Sequence, residues 1–345
     1  MKGRDFLSSV DIGIDLGTAN TVITIGGKGI VVNEPSVVAY DKKKHQVLAV
    51  GAQAYKMIGR TPEYIVAVKP LKDGVISDND TTEAMVSAFI HRVSSSMMLK
   101  PRIILCVPSL ITDVENRAVI DAALSAGARK VFIIKEPIAA LLGAGVDISK
   151  ASGAMVVDIG GGTTDIAVTS FNGIVQDTSI KIAGNKLDEA IIKYISAKYK
   201  IIVGEKTAEQ AKMNIVNVYH PDANRTMTVK GRNLLKGLPE SLEISETDGY
   251  EAVIDLVDEI VGGIKTVLER TPPELVGDIL ASGIVLTGGG ALLKGLDMLI
   301  REVIGAPCYI AKDPLKCVAK GVEAAFDLSE ELLDGFEKIS LYRYK

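Results

Sequence analysis

Ala154-Met155-Val156-Val157-Asp158-Ile159-Gly160-Gly161-Gly162-Thr163-Thr164-Asp165-Ile166-Ala167-Val168 is the stretch from which the rest of the chain is read. Met155 to Val157 is an apolar run with the composition of a buried strand. Three glycines, two threonines and an aspartate interrupt the apolar pattern before a second run begins, so the segment reads as strand, tight turn, strand. The glycines allow positive φ and a close backbone approach to a ligand. Their N–H groups can form a nest for an anion, a phosphate above all. Asp158, at the strand end, is placed to hold a hydrated Mg²⁺. Alone, the same residues also fit an ordinary glycine-rich hairpin.

A second copy removes that ambiguity. Ile14-Asp15-Leu16-Gly17-Thr18-Ala19-Asn20-Thr21-Val22-Ile23 aligns Asp15 with Asp158, Gly17 with Gly160 and Thr21 with Thr164. Two such hairpins far apart imply two related half-molecules, each presenting one loop and one acid to a shared phosphate chain. A third glycine loop, Ile284-Val285-Leu286-Thr287-Gly288-Gly289-Gly290-Ala291-Leu292-Leu293, reads as a strand entering a loop that opens a helix. That geometry brings backbone against a flat or anionic group.

Composition narrows the classes. The chain has 345 residues, 47% hydrophobic and 24% charged, which fits a globular protein of two or more domains. Its formal net charge of −4 gives no reason to expect a nucleic-acid partner. With no Trp, the core falls to Ile, Val, Leu and Ala. Cys106, Cys308 and Cys317 form no close-spaced pair, and His45, His91 and His220 are scattered, so no metal-ligand spacing appears. Unpaired cysteines fit a reducing cytoplasm. The first residues lack a signal-peptide pattern, and no apolar run approaches the ~18 residues of a membrane span.

Along the chain, residues 10–40 read as strands and Lys42-Lys43-Lys44 as a solvated tip. Asp80 offers an N-cap for a helix that ends near Ser94 to Pro101, where Met97, Met98 and Leu99 form an apolar loop middle. Those side chains either tuck back into the protein or contact a membrane or partner. Arg102 to Val107 reads as a buried strand, and Thr112 to Glu115 as the capping box of the helix to about Ala126. Glu136 then stands at a strand-to-helix junction, with Pro137 at the helix start. In an α/β sheet that edge binds ligands, although the helix dipole alone would also favour a carboxylate there. Gly184-Asn185-Lys186 leads into a helix to Tyr199, and Thr207 to Gln210 reads as a capping box. On the following helix, Glu209 and Lys212 lie one turn apart, as in a surface ion pair. Residues 220–250 are polar and turn-rich, Ile254 to Leu268 has helical apolar spacing, and a last helix runs from about Pro314 to Phe326. The acidic stretch from Ser329 ends in Leu341-Tyr342-Arg343-Tyr344-Lys345, a composition typical of mobile tails.

Five strings together resemble the MreB family, the bacterial actins: Asp15 to Thr21, Asn33-Glu34-Pro35-Ser36-Val37-Val38, Lys72-Asp73-Gly74-Val75-Ile76, Asp158 to Thr164 and Leu286 to Leu293. The resemblance spans about residues 10–326. It implies an α/β actin-like fold of two related halves with ATP and Mg²⁺ between them. One half would take 1–148 plus 314–345, with a small subdomain at about 33–66. The other would take 149–313, with a small subdomain at about 184–250. The resemblance further implies self-assembly into double filaments that govern cell shape. These would lie in the cytoplasm, peripheral to the inner face of the cell membrane, in contact with cell-shape membrane proteins. By carry-over, Thr18, Ala19 and Asn20 contact the terminal phosphates, as do Gly160, Gly161, Gly162 and Thr163. Asp15 and Asp158 hold Mg²⁺ through water, and Gly288, Gly289, Gly290, Ala291 and Leu292 border the base. Gly184, Glu209 and Lys212 fall at nucleotide contacts. Glu136 orients the attacking water for a slow hydrolysis to ADP and phosphate, with Thr164 and Asp165 assisting. Met97 and Met98 align with a membrane-contacting loop.

Three departures from the family pattern stand out: Asp165 in place of Glu, Asn185 in place of Asp and Asn214 in place of Glu. Asp165 bears on hydrolysis rate and Asn214 on the ribose contact. They leave open a scaffold that binds ATP without turning it over or without polymerising. A metabolic kinase of the same superfamily is the other rival, for which no sugar-pocket signal appears. A chaperone-type ATPase would need an appended peptide-binding domain that the chain has no room for.

Overall fold

The computed structural model describes residues 10–72, 74–94, 99–109, 111–328 and the backbone of 336–339. Met97 and Met98, expected at a membrane, lie outside the described residues, as does the basic-aromatic end of the tail. Among the described residues, no helix is long and apolar enough to cross a membrane. The chain divides into two compact units: residues 1–150, 170–174 and 316–345, and residues 151–169 and 175–315.

The first unit is built on a six-stranded sheet. Its order is Phe336–Ile339, Lys130–Lys135, Arg102–Val107, Asp11–Leu16, Asn20–Ile25, Gly29–Pro35. Asp11–Leu16 runs antiparallel to Asn20–Ile25 and parallel to Arg102–Val107, which in turn runs parallel to Lys130–Lys135. Ile103, Ile104, Leu105, Cys106 and Val107 are all buried, as expected of a parallel strand covered on both faces. The helix Glu136–Gly143 packs against the helix Cys317–Leu328 of the same unit. The contact is close because both helices carry a glycine at the crossing. A Cβ on Gly143 would sit 1.7 Å from the Cys317 carbonyl oxygen, and one on Gly321 would sit 1.7 Å from that of Ala139. This notch fixes the helix that begins with Glu136. A smaller antiparallel sheet, Gln46–Val50, Val38–Asp41 and Ile65–Val68, carries the short helix Ala52–Met57.

The second unit repeats the central arrangement. Its sheet order is Gly173–Ile180, Thr164–Ser170, Ala154–Ile159, Ile284–Thr287, Cys308–Ile310. Ala154–Ile159 runs antiparallel to Thr164–Ser170 and parallel to Ile284–Thr287, which runs parallel to Cys308–Ile310. The duplicated hairpins are therefore the same two strands of two sheets with one topology. The fold is α/β, and the repeated sheet agrees with the actin-like arrangement that the resemblance implies. Each unit has its own apolar core, dominated by Ile and Val.

Several boundaries differ from the sequence expectation. Asp78, not Asp80, caps the helix Asn79–Ser94: its Oδ1 accepts the Thr81 N–H at 2.7 Å. The helix expected at Ile254 to Leu268 runs from Glu246 to Arg270, because Ser245 and Asp248 form a capping box. Within the turn-rich segment 220–250, Thr226–Asn233 and Pro239–Ser245 pair as antiparallel strands, and Ile201–Ile202 completes a three-stranded sheet. Residues 314–316 form a 3₁₀ turn ahead of the last helix. Beyond that helix, Phe336–Ile339 is an edge strand antiparallel to Lys130–Lys135, so this part of the tail is ordered into the sheet.

Candidate nucleotide site

In the second unit the hairpin Ala154–Ile159/Thr164–Ser170 brings Asp158 directly opposite Asp165. Both are buried. The Gly160 N–H donates to the Thr163 carbonyl at 2.9 Å and closes the turn. The first N–H groups of the helix Gly184–Tyr199 reach back to this loop: Gly184 donates to the Gly160 carbonyl at 3.1 Å and Asn185 to that of Gly161 at 2.8 Å. Those bonds satisfy donors that a helix N-terminus leaves open, and they fix the loop against the helix. The Thr164 hydroxyl, fully buried, donates to the Ile182 carbonyl at 2.6 Å.

The glycine loop after Ile284–Thr287 joins the same place. Thr287 donates its hydroxyl to Asp158 Oδ1 at 2.7 Å. Gly288 has φ 78°, and a Cβ there would lie 2.3 Å from the Ile159 carbonyl oxygen, so only glycine fits. Residues Gly289–Leu292 form a 3₁₀ turn, not the start of an α-helix as the sequence suggested. The next helix, Leu296–Ile304, begins only after Gly295, which has left-handed φ and ψ. Ala291 is buried and Leu292 is about half exposed.

Lys212 lies beside this cluster. Its ammonium donates to the Gly184 carbonyl at 3.0 Å and pairs with Asp188 at 2.9 Å. The ion pair expected within one helix turn, Glu209 with Lys212, gives way to this one, and Glu209 is exposed. The helix that carries both starts at Glu205 after Gly204, so Thr207 is not its cap: the Thr207 and Ala208 N–H groups donate to the Gly204 carbonyl. Asn214 is exposed and turns its amide back to the Gln210 carbonyl at 2.7 Å. Thus the second unit assembles Asp158, Asp165, Gly160 to Thr163, Gly184, Lys212 and Gly288 to Leu292.

Burial, then the nearby Asp165 charge, pushes the Asp158 carboxyl up to about 7, while the Thr287 hydroxyl pulls the other way. Two buried carboxylates facing each other across a hairpin are a donor set that a hard divalent cation would neutralise, so the residues fit Mg²⁺.

In the first unit, the turn between Asp11–Leu16 and Asn20–Ile25 holds Thr18, buried, with Ala19 and Asn20 exposed. Asp15 is half-buried. Glu136 is the first residue of its helix and is buried. A cavity of about 20 Å³ is lined by Leu16, Thr18, Gly74, Cys106, Pro108 and Glu136. That is room for one water molecule, which needs ~10–15 Å³. Thr18, of the candidate phosphate loop, and Glu136, the candidate water-orienting carboxylate, thus border one small space within this unit. The Gly74 N–H donates to the Thr18 hydroxyl at 3.3 Å, so the backbone at Gly74 also bears on the loop. Sequence reasoning missed Thr287 and Asp188. Thr287 lies within the third glycine string and Asp188 just after Gly184-Asn185-Lys186, but their partners are distant in the chain.

The family model for MreB/Mbl protein matches residues 9–333. The chain belongs to the MreB/Mbl family. It is 48% identical over 323 residues to the cell shape-determining protein Mbl of Bacillus subtilis, covering 93% of this chain and 97% of the relative. It is 48% identical over 333 residues to the cell shape-determining protein MreB of Escherichia coli, covering 95% and 96%. Among solved structures, MreB5 of Spiroplasma citri bound to ADP superposes with a TM-score of 0.89 at 38% identity, covering 94% of this chain and 98% of that one. The same MreB5 bound to AMPPNP superposes with a TM-score of 0.87.

Proposed function

We propose that this chain binds ATP with Mg²⁺, hydrolyses it slowly and assembles with further copies of itself into filaments that govern cell shape at the inner face of the cytoplasmic membrane. The observation that carries the reading is the convergence, within one unit, of Asp158, Asp165 and two glycine loops, with the same hairpin repeated in the other unit. The relatives' names and the nucleotides bound to MreB5 support it.

In this reading, Gly161 to Thr163, in the turn that the Gly160 N–H closes, receive phosphates through backbone N–H groups and the Thr163 hydroxyl, and Thr18 to Asn20 are their counterparts in the other unit's hairpin. Gly288 to Leu292 border the base, and Lys212, held by Asp188, lies near the sugar. Asp158 would hold Mg²⁺ through water, with Asp15 the matching acid of the other unit, and the ion would supply charge neutralisation at the phosphates. Glu136 accepts a hydrogen bond from the attacking water and orients it. Phosphoryl transfer asks little more of a protein than placement and charge neutralisation. Met97 and Met98 supply the membrane contact.

The test is phosphate release and ATP binding on one purified sample. Binding with slow release supports the reading, binding with no release leaves a nucleotide-stabilised scaffold, and no binding overturns it. For the membrane, replacing Met97 and Met98 by Ser is expected to reduce co-sedimentation with anionic liposomes; unchanged pelleting overturns that assignment.

A further inference from the structure

The string Asn33-Glu34-Pro35-Ser36-Val37-Val38 marks the family resemblance, yet none of the nucleotide contacts proposed above falls on it. Its serine has unusual surroundings. Ser36 is fully buried, and its hydroxyl donates to the Gly17 carbonyl at 2.6 Å. Its N–H donates to the Ala19 carbonyl at 3.0 Å. The Thr21 hydroxyl, also fully buried, lies 2.9 Å from the Ser36 oxygen. A hydroxyl has one proton to give. Ser36 spends its proton on Gly17, so Thr21 is the donor in the second bond. The result is a buried relay from the Thr21 hydroxyl through Ser36 to the Gly17 carbonyl. Ser36 thereby holds both sides of the turn that presents Thr18, Ala19 and Asn20.

The base of this anchor is itself fixed. Glu34, two residues earlier, accepts the Ala52 N–H at 3.0 Å and pairs with Arg92 of the helix Asn79–Ser94. Pro35 stands between them with its φ locked by the ring. In the sheet, Asn20 and Thr21 face Pro35 and Glu34 across the strand pair. The segment is tied on one side to the phosphate loop and on the other to two helices.

We propose that Ser36 is a positioning residue: it holds the loop Gly17 to Asn20 in the geometry that receives the terminal phosphates. The inference rests on the nucleotide reading above. It assigns Ser36 no contact with the nucleotide and acts through the loop alone. Its signature is therefore selectivity by phosphate number. A loop out of place weakens ligands that reach it and spares those that do not.

The experiment is calorimetric titration of the full chain with Mg-ATP, Mg-ADP and AMP, with thermal melting alongside. Ser36→Ala leaves the Thr21 hydroxyl and the Gly17 carbonyl without their buried partner. It is expected to weaken ATP binding by about tenfold, with AMP affinity changed by less than about twofold. Ser36→Thr keeps the hydroxyl and restores ATP affinity. Ser36→Cys matches the volume with a weak donor; it keeps the core filled if the alanine variant fails to fold, and shows the same ATP-selective loss. Thr21→Val removes the other end of the relay but leaves the bond from Ser36 to Gly17, so it lowers the melting temperature without the ATP-selective loss. Equal weakening of ATP and AMP, or no weakening of either, overturns the positioning role while the nucleotide reading stands. A wild-type protein that binds none of the three overturns that reading, and the inference with it.

Discussion

Glu136 is held by a simple local rule. A strand, Lys130–Lys135, ends, and a helix begins at once with Pro137 near its first position, so the backbone that carries the carboxylate is fixed. It borders a one-water cavity together with Thr18. Glu136→Ala is therefore expected to slow phosphate release by about a hundredfold or more while ATP affinity changes little. Stopped-flow phosphate detection and nucleotide titration of the same variant check this; an unchanged rate removes Glu136 from the mechanism. Gly288 makes a different kind of prediction. Its φ of 78° and the 2.3 Å approach to the Ile159 carbonyl oxygen exclude a side chain. Gly288→Ala is expected to cost about 1–3 kcal/mol of stability, seen as a lower melting temperature, and to weaken ATP binding by moving the loop off Asp158.

The helix Glu246–Arg270 shows how an element is held by charge. Glu246, its first residue, is buried, accepts hydrogen bonds from Asn217 and from the Asp222 N–H, and pairs with Lys294 and Arg225. Burial alone would raise its carboxyl, but Lys294, the Asp222 N–H and Asn217 outweigh that and draw it down to about 2. Asp248, in the same first turn, is also drawn well below the usual range: against its burial stand Lys198, the Ser245 backbone and Tyr199. A lowered carboxyl contributes stability above its unfolded value and loses it as pH falls through the folded one. Glu246→Gln is thus expected to be less stable than wild type at pH 7, with the gap closing as pH falls from about 4.5 to 2. Denaturant melts at stepped pH measure that gap; a constant gap contradicts the charge argument.

Elements also show what was legible in the sequence. The two glycine hairpins were, because apolar runs broken by glycine and acid report strand and turn within a few residues. Glu136 was, because a strand run meets Pro137. Several missed features depend on partners far away in the chain, and others on a local competitor. Lys212 was read against Glu209, one helical turn off, but Asp188 holds it. Thr207 offered a capping pattern, but Gly204 and Glu205 had already taken the first turn. Thr226–Asn233 and Pro239–Ser245 alternate over only two apolar residues each, Met227 and Val229 facing Ile244 and Leu242, a signal too short to stand out in a polar, turn-rich segment. Thr287 and Ser36 act by bonds to Asp158 and Gly17 that only folding creates.

At the scale of the molecule, the repeated sheet is the main fact. Strands in the same order and directions place Asp15 and Asp158 at matching positions of two hairpins. The repeat is not symmetric in chemistry: Asp158 faces Asp165, whereas Asp15 faces Val22. The second acid belongs to one hairpin only, so Asp158 is expected to contribute more to cation binding than Asp15. Asp158→Asn should weaken Mg²⁺-dependent ATP binding more than Asp15→Asn does, as judged by titration with and without the metal; the reverse order would make Asp15 the principal cation ligand. Nucleotide binding is expected to serve assembly. The most direct test is sedimentation of the purified chain with ATP and Mg²⁺, with electron microscopy of the pellet. Filaments that pellet with ATP and Mg²⁺ are the expected result; a chain that stays in the supernatant under every nucleotide condition contradicts it.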